Sequence, residues 1–294
     1  MNRLRRYSAE SQPKAWLFLA PALLIIIVFN IYPLFRSFWM SFQGGTLTNP
    51  VFNGINNYKT ILADANFHKA MKNTALYAFS VVPISLIISM TIAWIIFEKV
   101  KHKNFFETTF FIPYVTSTLA IGIVFKYFFN GSYGIINHIL GWCGVAPINW
   151  LDSISMNMPT LIIFGIWSGL AFNIIILLAG FRNIDKQYYK VADMFGATEM
   201  EQFTRITLPQ LFPTVTFLLT VNFISAFKVY TQVYALFGGK PGIANSAQTA
   251  VYYIYDKFHI AQRPGVGMAA TVVLFLLILL FTFIQNKITE KVAH

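Results

Sequence analysis

Residues 159–181 read PTLIIFGIWSGLAFNIIILLAGF, and residues 182–213 continue RNIDKQYYKVADMFGATEMEQFTRITLPQLFP. The first stretch carries no charge over a length that, wound as an α-helix, crosses the hydrocarbon core of a bilayer. The second turns abruptly polar and stays so for some thirty residues before the chain becomes apolar again. A spanning helix that feeds a long polar loop sets the fold class. Working outward, five more apolar runs of comparable length occupy residues 15–34, 74–97, 105–129, 214–237 and 266–284. In lipid every backbone amide must be satisfied within its own segment, so the runs predict helices. A transmembrane barrel would instead show short alternating strands. The expectation is an all-α, polytopic membrane protein with six spans, one membrane domain over residues 1–294.

Composition agrees. Apolar residues make up 56% of the 294 and charged residues 11%, with a mean hydropathy of +0.58, whereas a soluble domain carries about 25% charged residues. The net charge of +11 could suggest a nucleic-acid partner, but its distribution argues for topology. With the N-terminus in the cytoplasm, the inner segments 1–14, 98–104, 182–212 and 285–294 hold 13 of the 22 basic residues in 62 positions. The outer loops 36–72, 130–158 and 238–265 hold 7 in 94. That bias follows the positive-inside rule and places both termini in the cytoplasm. The single cysteine, Cys143, excludes an internal disulfide and a cysteine-based zinc site, and the five histidines are scattered. Pro33, Phe35 and Arg36 stand at the end of the first apolar run in place of a small-residue cleavage site, which predicts a retained helix.

The polar loop is too long for a helical hairpin and is the first place to look for function. Residues 188–195 suit two helical turns ended by a left-handed Gly196. Thr198 and Glu201 have the spacing of a capping box that opens a second short helix through Arg205, and Pro209 and Pro213 are expected to break the chain before the fifth span. Ala192, Met194, Phe195 and Phe203 give this helix–turn–helix apolar patches, among the charges of Lys190, Asp193, Glu199 and Arg205. Such a surface suits docking on a soluble partner. In the first outer loop, Tyr58, Ile61 and Leu62 suit a short amphipathic helix on the membrane surface.

The loop resembles the EAA loop of ABC-importer permeases. Lys190-Val191-Ala192 fills the EAA slot, Gly196 follows after three residues, and Ile206-x-Leu208-Pro209 after nine more. Lysine stands where glutamate is usual, and Phe195 where an aspartate commonly precedes the glycine. The likeness continues in the maltose-type sugar branch: Asn57-Tyr58 with Asn73-Thr74, Pro113-Tyr114, the stretch before the loop, Phe227-Lys228, and residues 238–242. Glu107 departs from that branch, where arginine is more usual.

The resemblance implies the fold of a type I ABC-importer permease in the bacterial cytoplasmic membrane. It implies a permease subunit, itself without catalysis or cofactor, for a sugar or oligosaccharide. It also implies partners: a second permease, usually different, two ATPase subunits that hold ATP and Mg, and an extracytoplasmic sugar-binding protein. Coupling to the ATPases would fall to Lys190, Val191, Ala192, Phe195, Gly196, Ala197, Ile206, Leu208 and Pro209 in loop 182–212. Offsets carried from maltose-type relatives imply a substrate pathway of Gly165, Ser168, Gly169 and Phe172, with Asn222, Ser225, Ala226 and Val229. At 100° per residue each set falls on one helical face. Gly165, Gly169 and Ala226 suit close helix packing equally well. Lys228, placed within the fifth run, is either functional or a snorkelling charge paired with a headgroup or neighbouring subunit. The rival reading, a secondary transporter driven by an ion gradient, needs acids near the midplane. Glu107 is the only Asp or Glu in any run. Among sugars, the sequence leaves open maltodextrins, other oligosaccharides, glycerol phosphate and acidic sugars.

Overall fold

The computed structural model describes residues 15–101 and 103–293, so the basic tail expected at 1–14 lies outside them. Their contacts fall into two compact units, residues 15–63 with 254–273, and residues 64–253 with 274–293.

In the first unit, α1 (Ala15–Ser41) runs past the predicted end of its apolar run. Its turn at Ile27–Ile31 is wide, with the Tyr32 amide reaching back to the Ile27 carbonyl. The widening falls just before Pro33, which has no N–H to donate. A two-stranded hairpin follows, β1 (Gln43–Gly45) against β2 (Pro50–Phe52), with Gly44 opposite Val51. Next comes α2 (Asn56–Ala63), held to the end of α1 by Asn57, whose Nδ2 donates to the carbonyls of Ser41 and Gln43 at 2.8 Å each. Helix α2 is the amphipathic segment expected here, but Ile61 is buried while Leu62 is 61% exposed.

The second unit is built around α3 (Ala65–Lys99) and α7 (Asn157–Arg182). Asp64 caps α3 through the Asn66 amide. At 1.5 Å per residue α3 is about 52 Å long, well beyond the bilayer core. Its buried stripe includes Tyr77, Val81, Ser85 and Ser89 at intervals of four, and these face α7. A Cβ at Gly165 would strike the Tyr77 ring, while one at Gly169 would make ordinary contact with Ser85. The first glycine therefore permits close helix packing.

Two of the predicted spans are not single helices. The run 105–129 divides into α4 (Lys103–Val115) and α5 (Thr118–Phe128), which meet at 96°. Ser117 adopts an extended backbone there (ψ 125°), and the Thr116 amide turns back to the Pro113 carbonyl. In the run 214–237, α9 (Glu199–Phe227) ends before Lys228, and the short α10 (Thr231–Leu236) follows a non-helical Tyr230 (φ −144°). Thr249 Oγ1 donates to the Val229 carbonyl at 2.8 Å in this break. Helix α10 lies so close to α5 that a Cβ on Gly122 would overlap Ala235. Lys228 is thus an exposed residue at a helix end, not a charge inside a helix.

Helix α9 also corrects the reading of the loop. The second short helix is not separate: Glu199–Gln202 passes through a wide turn at Phe203–Thr207 into Leu208–Phe227 without a break. Pro209 falls in the first turn after the widening, where a missing N–H costs little, and Pro213 sits within the helix. Two short helices, α6 (Ile135–Trp142) and α11 (Ala250–Tyr255), lie in the connecting segments, and the remaining long helix, α12 (Pro264–Ala293), begins in the first unit. Phe281 on it packs against Phe223, with ring centroids 4.7 Å apart.

Candidate functional site

The polar loop carries α8 (Lys186–Met194), capped by Asp185. Gly196 takes a φ of +71°, and Ala197 N–H reaches Ala192 O while Gly196 N–H reaches Asp193 O, both at 3.0 Å. That pair of bonds is a Schellman cap, which satisfies carbonyls at the helix end and favours glycine at the left-handed position. Thr198 and Glu201 form the capping box that starts α9. Gln202 Nε2 ties the two helices by donating to Asp193 Oδ1 at 2.6 Å, and Tyr189 shares a hydrogen bond with Thr207 at 2.8 Å. Partial burial pushes the Tyr189 phenol above its ordinary pKa.

The tip of the loop is apolar and exposed, Met194 by 85% and Phe195 by 87%. Lys190 and Val191 are exposed beside it, and Ala192 is half-buried. Phe203, expected on the same patch, turns instead against Trp94, with centroids 5.3 Å apart. Of the second anchor, Leu208 and Pro209 are exposed and Ile206 half-buried. Two ion pairs link the loop to neighbouring helices, Glu199 in its middle with Lys99 at 2.5 Å, and Arg182 at its start with Glu107. Glu107, where arginine was expected, therefore has an arginine as its partner.

The loop's flanking helices, α7 and α9, also line a cavity of about 290 Å³. Gly165, Ser168, Gly169 and Phe172 of α7 meet Asn222, Ser225 and Ala226 of α9, with Val229 just beyond its end. All eight candidate positions line this one space, and Lys228 does not. Gly165 both packs on Tyr77 and lines the cavity, so its two readings hold together. Asn222 Nδ2 donates to Asn173 Oδ1 at 2.7 Å.

Sequence reasoning missed Tyr77, Ser85, Tyr114 and Gln232, which with Val81, Val82 and Val221 complete the lining. Tyr114, at the end of α4, stacks on Phe172 with centroids 5.7 Å apart and planes 22° from parallel. The interval of eight between Tyr77 and Ser85 puts both on one face of α3, a signal legible in the sequence. Nothing in the sequence brought Gln232 to the same space, because its position depends on the break after Phe227.

A family model described as "Binding-protein-dependent transport system inner membrane component" matches residues 85–294. The chain belongs to that family. It is a permease subunit of an ATP-binding-cassette importer and a multi-pass inner-membrane protein. Among its relatives is the arabinooligosaccharides transport system permease protein of Bacillus subtilis, 34% identical over 286 residues, covering 96% of this chain and 90% of that one. The trehalose/maltose transport system permease protein of Thermococcus litoralis is 30% identical over 275 residues, covering 93% and 92%. A similar fold occurs in a bacterial alginate ABC transporter solved in complex with an alginate pentasaccharide-bound periplasmic protein. Its matching chain has a TM-score of 0.85 at 22% identity, over 98% of this chain and 97% of that one.

Asn73 and Thr74, on which part of the resemblance rests, hold the chain's own backbone together. Asn73 Nδ2 donates to the carbonyls of Ser246 and Gln248 at 2.9 Å each. Thr74 Oγ1 receives the Ala250 amide at 2.8 Å. These are buried clips between α3 and the segment after α10.

Proposed function

We propose that this permease conducts a neutral oligosaccharide across the membrane through the α7–α9 cavity, in alternating access driven by partner ATPases. The observation that carries the reading is the convergence of both helices that flank the loop on one lined space. Asn222, Ser168, Ser225, Ser85 and Gln232 offer hydrogen bonds to hydroxyls. Phe172 and Tyr114 offer apolar faces for a sugar ring, and the small residues leave room. Among the described residues the lining holds no lysine, arginine or histidine to match a carboxylate or phosphate, which favours an uncharged sugar. It also holds no Asp or Glu to bind a coupling ion, so ion-gradient transport has no support there. Two relatives are permeases for arabinooligosaccharides and for trehalose/maltose, which agrees with a neutral sugar.

The whole chain acts as one permease domain beside a second, non-identical permease. Each permease docks its loop on an ATPase subunit that holds ATP and Mg, and an extracytoplasmic binding protein delivers the sugar. Closure of the ATPase pair draws the two loops together and opens the cavity outward. The loop and both termini face the cytoplasm, in line with the basic bias. A reporter active only in the cytoplasm is therefore expected to be active when fused after Lys101 or Glu199 and silent after Asn149. The reverse pattern would overturn the orientation.

The substrate reading is tested by uptake of radiolabelled arabinotriose, maltose and trehalose in cells that express the complete importer. At least one is expected to be imported with ATP dependence. Asn222→Ala is expected to raise the KM of that sugar roughly tenfold, the effect of one lost buried hydrogen bond, while Lys228→Ala changes it less. Silence of Asn222→Ala together with loss of uptake in Lys228→Ala would place the pathway on another face.

A further inference from the structure

Asn173 is fully buried, one position beyond Phe172 on α7, among residues that include Ile174 and Leu177. It does not line the cavity. Its Oδ1 accepts the hydrogen bond from Asn222 Nδ2, and its own Nδ2 has no hydrogen-bond partner among the described residues. A buried amide left half-satisfied is costly, and a leucine of similar size would remove the cost. A polar side chain held at such a position calls for a role beyond packing.

We infer that Asn173 is a positioning residue for the sugar site, acting through Asn222. By hydrogen-bonding the Asn222 side chain at 2.7 Å, it fixes the plane of that carboxamide and leaves the rest of it to meet a ligand in the cavity. A sugar hydroxyl both donates and accepts, so it can pair with the group so held. Without Asn173 the Asn222 side chain is free to rotate, and the ligand must pay the ordering entropy that the pair now removes in advance. Asn173 thus contributes to sugar affinity without touching the sugar.

The inference rests on the proposed sugar pathway, and a double-mutant cycle separates the two. The complete importer is reconstituted, and uptake KM and maximal rate are measured for whichever of arabinotriose, maltose or trehalose it carries. Asn173→Leu, Asn222→Ala and the double variant are compared with wild type. Asn173→Leu is expected to raise KM roughly fivefold to tenfold with the maximal rate within about twofold of wild type. In the Asn222→Ala background it is expected to have no further effect, because the group it orients is gone. An equal effect of Asn173→Leu in both backgrounds, or no effect on wild type, would overturn the positioning role while leaving the pathway standing. A silent Asn222→Ala would instead remove the pathway. If Asn173→Leu fails to co-purify with the ATPase subunits, Asn173→Ser enters the cycle in its place. It keeps a polar group on α7 but is too short to reach Asn222, and the same two outcomes decide.

Discussion

Gly196→Asp is expected to leave the chain inserted in the membrane at near wild-type level and to abolish both transport and the stimulation of ATP hydrolysis by the binding protein. Gly196 sits at a φ of +71° at the loop's tip, and a Cβ built on it meets nothing within 4 Å. The substitution therefore creates no clash within this chain. Its first cost is the left-handed backbone, roughly 1–2 kcal/mol for a residue with a Cβ, although aspartate tolerates that region better than most. Its second is a carboxylate set beside the exposed Met194 and Phe195. If that apolar tip enters a cleft on the ATPase, an unpaired charge must be desolvated with it, and such a cost exceeds the strain. Gly196→Ala separates the two terms, since it keeps the strain and omits the charge, and is expected to retain part of the activity. Wild-type uptake by Gly196→Asp would take the loop out of the mechanism.

Ala226→Trp is expected to abolish uptake while the complex with the ATPase still assembles. Ala226 lines the cavity and is itself only 7% exposed. An indole at that point must project into a space of about 290 Å³ or push into the packing around Phe223 and Phe227. Filling the space excludes the sugar. Displacing the packing would show as reduced complex recovered by affinity purification, so the two outcomes are distinguishable. Undiminished uptake with normal assembly would mean that the substrate passes elsewhere.

The parts of the fold legible in the sequence were those governed by local rules. A charge-free run of 23 residues could only be α7, and the Thr198–Glu201 spacing and Gly196 announced their caps because capping depends on a few adjacent residues. The helix breaks were not legible. Run 105–129 is uncharged apart from Glu107 and Lys126 and mostly apolar, so hydropathy cannot tell a straight helix from two halves at 96°. Prolines misled in the opposite direction: Pro209 and Pro213 sit in a helix that a wide turn lets continue. The cavity was legible from α7 and α9 because each contributes a single face. Tyr114 and Gln232 joined it through the two breaks, which are tertiary features.

The apolar window of α1, with a mean hydropathy of 2.4, is not buried within its own unit. Such a window gains little from side-chain packing in that unit, so what keeps it in the bilayer is its partition energy as the insertion machinery meets it. A charge at its centre is therefore opposed by about 2.5–3.5 kcal/mol of insertion free energy and, within that unit, by little else. In α7 the same change would empty or overfill a packed core. The two helices thus accept mutation under different rules: α1 tolerates exchange among apolar residues so long as the sum is kept, whereas α7 depends on which side chain stands at each position.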